Sequence, residues 1–78
     1  MNLPIVDMMG TGKCIKALLN ENNMSIKDLQ MILGFTTPNA IYKWIHGRCL
    51  PSIDNLVCLA VIFKVPIENI LVVEKEAA

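Results

Sequence analysis

Long apolar runs are missing from this chain. The longest, Leu56 to Phe63, breaks at Lys64, and a membrane span needs about 20 consecutive apolar residues. A transmembrane helix is therefore excluded. The start, MNLPIVDMMG, carries no basic stretch ahead of its short apolar one, so no secretory signal peptide is expected. There is also no surplus of charge: 7 Lys and Arg balance 7 Asp and Glu. That balance argues against nucleic-acid binding, whose affinity rests on phosphate contacts. Cysteine is sparse and odd in number, with Cys14, Cys49 and Cys58 forming no CxxC pair. The lone histidine, His46, cannot complete a tetrahedral zinc site. Reduced thiols, no metal and a cytoplasmic location are the expectation. No GxSxG, P-loop or HExxH pattern occurs, and no paired carboxylates frame a cleft. Neither enzymatic activity, a cofactor nor a small-molecule site is expected.

What is present is a short, greasy chain. Its 78 residues suffice for one small domain. Apolar residues make up 54%, above the roughly 45–50% ordinary for soluble domains. The excess implies either a core wrapping most of each helix or a dimer interface. Charge is unevenly spread. Residues 24–50 hold Lys27, Lys43 and Arg48 against Asp28 alone, whereas residues 51–78 are net acidic.

Apolar spacing predicts five helices between an arm at residues 1–9 and a solvated tail at 74–78. Pro4 keeps the arm extended, and a short pairing with the run Ile70–Val73 is possible on its apolar pattern. The arm lacks the Arg or Lys that minor-groove arms use. The first helix is predicted over Gly12–Glu21, capped by Thr11, with Ile15, Leu18, Leu19 and Asn22 on one stripe. The second opens at Ser25 with a near capping box to Asp28 and buries Ile26, Leu29, Ile32 and Leu33. Gly34 ends it with a positive φ, and Phe35 packs back. The third is capped by Thr37, with Pro38 in its first position, and Gly47 stops it. Ala40, Ile41, Trp44 and Ile45 face inward, while Asn39, Tyr42, Lys43 and His46 form the opposite stripe. The fourth, capped by Ser52, reaches about Lys64 and buries Ile53, Leu56, Leu59, Ala60 and Phe63. Val57, Cys58, Val61 and Ile62 make it apolar almost all round. A fifth short helix follows Pro66 and turns Ile67, Ile70 and Leu71 inward.

Two helices joined by a glycine turn are one reading of a helix-turn-helix. The details go further: Met24-Ser25, Leu33-Gly34, Ile41 and Trp44, Gly47, and Pro51-Ser52 before a leucine-rich helix. Together with AIYKW, G-x-x-L-P-S-x-D-N-L and V-P-I-x-x-I-L, they resemble the lambda-repressor-like (XRE-type) helix-turn-helix family over about residues 10–73. They are especially similar to small bacterial members made of this domain alone. The resemblance implies an all-α, five-helix bundle with the third helix in the major groove and the second crossing the backbone. It also implies a homodimer reading two half-sites about one helical turn apart. Members are mostly transcriptional regulators, some of them antitoxins or phage control proteins. The sequence departs from the family twice. Gly34 to Trp44 is one residue longer than the commonest version. Ile26 also stands where a phosphate-holding Gln is frequent, which shifts that contact to the backbone N–H groups of the second helix or to Lys27.

The expected site therefore comprises Lys27, Thr36, Thr37, Asn39, Tyr42, Lys43, His46 and Arg48. A carboxamide such as Asn39 can pair with adenine N6 and N7; otherwise it is a solvated helix-start residue. Lys43 can reach guanine or a phosphate, or simply be exposed. Tyr42 can bond phosphate or cover a thymine methyl, or pack partly. His46 suits a phosphate or a cap on the last carbonyls. Arg48 fits a phosphate. Of Thr36 and Thr37, one caps and the other can donate to phosphate. Trp44 shares the Ile41 face and belongs to the core. The expected partner is double-stranded DNA, bound by a homodimer. The alternative is a protein–protein module or an antitoxin-like partner-binding protein, favoured by the zero net charge and by Ile26. Helix 4 around Val57 and Val61, the fifth helix and the arm are the candidate dimer surfaces.

Overall fold

A carboxylate, rather than a threonine, starts the first helix. In the computed structural model, which describes residues 3–74, α1 runs Met8–Glu21, and the Asp7 carboxylate accepts the Gly10 N–H at 3.0 Å. The expected start at Gly12 with a Thr11 cap is thus one turn late, because Asp7 offers a stronger acceptor earlier. Thr11 is buried, and its hydroxyl accepts the Val72 N–H at 3.0 Å. Ile15, Leu18 and Leu19 line the core as their spacing requires. Asn22, expected on that stripe, is exposed; its carboxamide donates to the Leu18 carbonyl at 2.7 Å and closes the helix.

Helix α2, Ile26–Leu33, carries the full capping box. Asp28 N–H donates to Ser25 Oγ at 3.0 Å and Ser25 N–H to the Asp28 carboxylate at 2.9 Å. Gly34 ends it at φ 73°, a conformation that costs a glycine nothing. Phe35 N–H then returns to the Gln30 carbonyl at 3.0 Å, and the Gln30 carboxamide donates to the Phe35 carbonyl at 3.2 Å. This double clasp points the Phe35 ring at Trp44, edge to face with centroids 5.9 Å apart.

Helix α3, Asn39–Ile45, begins one residue later than expected, with Pro38 at the boundary. Thr37 Oγ still takes the Asn39 N–H, but at a long 3.4 Å. Ile41 and Trp44 are buried. Gly47, at φ 71°, turns the chain so that Arg48 N–H donates to the Lys43 carbonyl at 2.9 Å.

Helix α4, Ile53–Phe63, is capped by Ser52 through the Asn55 N–H at 3.2 Å. It buries Leu56, Leu59 and Phe63. Ile53 and, on α2, Ile32 were expected inward but lie exposed. Each sits at a helix end whose core-facing positions are already filled: by Leu56 on α4, and by Leu29 on α2, whose remaining apolar neighbours Ile26 and Leu33 are only half-buried.

The fifth helix shrinks to one 3-10 turn, Ile67–Asn69, so the described residues hold four α-helices rather than five. Ile70 is fully buried beside it, while Leu71 to Glu74 run on extended. The β-branched pair Val72-Val73 favours that course. Strand β1, Ile5–Val6, pairs antiparallel with β2, Val73–Glu74, with Val6 opposite Val73. The predicted pairing of arm and C-terminal run is therefore present, but at Val73–Glu74, so that Val73 alone of the run Ile70–Val73 lies in it. Residues 1–2 of the arm and 75–78 of the expected tail lie outside the described residues.

Candidate nucleic-acid interface

Helix α3 is held from behind by two glycines. A Cβ on Gly12 of α1 would overlap the carbonyl oxygens of Trp44 and Ile45. The bare backbone of α1 thus lets the end of α3 lie directly against it. A Cβ on Gly47 would come within 2.9 Å of the Met9 backbone and side chain. Ile41 and Trp44 enter the core from the same side. The opposite stripe of α3 is therefore fixed towards solvent by packing on its back.

That stripe forms one shallow open depression of about 230 Å3, lined by Asn39, Tyr42, Lys43, His46 and Arg48. Five of the eight expected site residues thus meet on one surface. The Gly47 turn carries Arg48 back alongside the helix. Tyr42 and His46, one turn apart, stack with ring centroids 6.1 Å apart and planes 25° from parallel. The lining holds two full cations, two aromatic rings with polar atoms and one carboxamide, and no carboxylate. Such a set can grip anions and hydrogen-bond base edges.

The other three expected residues lie outside the depression. Thr36 and Thr37 are exposed in the α2–α3 turn, and Lys27 is exposed in the first turn of α2. The α2 N-terminus already holds the Asp28 carboxylate, whose pKa lies below its ordinary value because the Ser25 backbone N–H and then the Ser25 side chain bond it. That negative charge complements the helix dipole and makes this end a poor phosphate cradle. Lys27 is the cation exposed in that turn.

The positioning glycine Gly12 was missed as such. In the sequence it reads as the first residue of a helix capped by Thr11, where a glycine gives no sign of a close approach. Gln30, the clasp of the turn, left no mark in the sequence either.

The helix-turn-helix domain family matches residues 12–76. The chain belongs to that family, in agreement with its XRE-type motifs. No curated protein matches the chain. Among solved structures it is similar to the DNA-binding domain of BldD, with a TM-score of 0.71. The two are 15% identical over 85% of this chain and 94% of that one. At this identity the likeness is one of fold.

Proposed function

We propose that the chain is a sequence-specific DNA-binding transcriptional regulator, acting as a homodimer with α3 in the major groove. The observation that carries this reading is the carboxylate-free surface of Asn39, Tyr42, Lys43, His46 and Arg48 on α3 and its following turn. Membership of the helix-turn-helix family supports it. So does likeness to a fold whose solved representative is a DNA-binding domain. In this arrangement Asn39, at the N-terminal end of α3, reads adenine through its carboxamide. Lys43 reaches guanine or an adjacent phosphate. Arg48 and His46 hold the backbone on one flank, and Lys27, Thr36 and Thr37 hold it on the other. Tyr42 lays its ring towards a thymine methyl or bonds a phosphate.

Selection of duplexes from a random pool at low and moderate salt tests this. The expected result is enrichment of a two-fold symmetric site, with affinity falling linearly in log–log form as salt rises. No enrichment at any salt would overturn it.

A protein–protein module is the second reading. It is favoured by the zero net charge and by the acid that occupies the α2 N-terminus. It would show as a stable complex with a partner protein and no duplex selection.

A further inference from the structure

One exposed surface is apolar without serving the α3 stripe. On α4, Ile53, Val57 and Val61 are 78%, 47% and 72% exposed and stand four residues apart, forming a ridge along the helix. On α2, Met31 and Ile32 are 70% and 56% exposed. Between ridge and α2 runs a groove of about 330 Å3, lined by Ile32, Leu33, Val57, Cys58, Val61 and Ile62, with Asn55 as its one amide. No charged side chain lines it.

We propose that this α2–α4 face is where a second copy of the chain docks, with the two α4 helices antiparallel about a two-fold axis midway between Val57 and Val61. This rests on the homodimer of the proposed function and assigns its surface. Two features, shape and charge, select a copy of the same chain as the occupant.

The first is shape. Ridge and groove lie side by side, so a two-fold axis sets each ridge into the other copy's groove. An isologous interface requires such self-complementarity. The second is charge. The acidic end of α4, at exposed Asp54, meets the basic end of its antiparallel neighbour, at exposed Lys64. The helix dipoles oppose as well.

The other candidate surfaces fit less well. Ile70, at the site of the expected fifth helix, is fully buried. The arm presents Leu3, Ile5 and Met9, but its one charged side chain, Asp7, is taken up as the α1 cap, so it offers no charge pairing like that of Asp54 and Lys64.

Sedimentation of the full chain at about 100 μM, where a dimer with a Kd in the micromolar range is populated, is the test. Wild type is expected at twice the mass of one chain. Val61→Asp and Val57→Asp are each expected at the mass of one chain with unchanged helical circular dichroism, and Ile5→Asp at twice the mass. Maleimide labelling needs no variant at the interface. The Cys58 rate should fall several-fold from dilute to concentrated protein, with Cys49 as internal reference. A monomeric wild type overturns the proposal, as does a Val61→Asp protein that stays dimeric, or Cys58 labelling indifferent to concentration. The two readings fail separately. A dimer lost in Val61→Asp but selecting no duplex overturns the DNA reading alone. A monomeric wild type that selects a duplex overturns this docking alone.

Discussion

Lys43 and Asn39 share one face of α3 but should answer differently to removal. Lys43 is a charge on a flexible stem, so Lys43→Ala is expected to weaken binding to all duplexes. It should also reduce the salt slope by about one for each phosphate that a protomer no longer neutralises. Asn39 can pair two atoms of one base. Asn39→Ala is therefore expected to cost about 1–3 kcal/mol on the selected site and little on non-specific DNA, with specificity relaxed at one position. Competition titrations at several salt concentrations separate the two outcomes. An unchanged slope in Lys43→Ala would mean that α3 presents another side to the groove. The cysteines divide equally clearly. Cys14 donates its thiol to the Asn69 carbonyl at 3.2 Å, and its pKa is raised by burial and then by the negative Glu21. Cys58 is exposed. Since the thiolate is the reactive form, dilute native protein should be alkylated at Cys58 well before Cys14, as peptide mass mapping over time would show.

At the scale of elements, the helix α2 cap gives a pH signature. The Asp28 carboxyl has its pKa lowered from the ordinary 3.8, first by the Ser25 backbone N–H and then by the Ser25 side chain. A lowered folded-state pKa means that the stabilisation is fully present above the ordinary value and is lost as pH falls through the lowered one. The wild-type melting temperature should therefore drop on acidification to below pH 3.8 more than that of Asp28→Asn, in which this titration is absent. Melting curves of the pair read the difference directly. Helix boundaries show how far local chemistry reaches. The Ser25–Asp28 box, Gly34 and Gly47 were legible because each is decided within a few residues. The extra turn of α1 depended on Asp7, whose neighbours Pro4 to Val6 read as extended arm. Ile32 and Ile53 were misread for another reason. An apolar residue at helical spacing says which side it is on, but not whether another helix arrives to cover it. The polar stripe from Asn39 to His46 was legible because it is the complement of the Ile41–Trp44 face. Gly12 was not, because its meaning lies in the carbonyls of a helix far along the chain.

At the scale of the whole molecule, the first and last segments of the described residues are fastened to each other. Val6 pairs with Val73, Asp7 N–H donates to the Val72 carbonyl at 2.7 Å, and the Thr11 hydroxyl accepts the Val72 N–H at 3.0 Å. Thus both backbone groups of Val72 are taken up by the start of the chain, 61 residues from Thr11. This makes Thr11 more than a core-filling side chain. The Thr11 hydroxyl is the partner of the part-buried Val72 N–H, so replacing it creates a vacancy. Thr11→Val keeps the shape but strands the Val72 N–H. The expected loss is about 1–2 kcal/mol of unfolding free energy, the lower part of the cost of an unpaired donor. Thr11→Ser retains the acceptor and forfeits only a methyl group, so it should lose roughly 1 kcal/mol. Urea denaturation of the three proteins orders them, and amide exchange adds the location. In Thr11→Val the Val72 amide should lose protection, while the Leu59 amide in α4 keeps exchanging only through global unfolding. If instead both amides lost protection only in step with global stability, Thr11 would be acting through packing alone, and the closure of the chain would rest on the Val6–Val73 pairing.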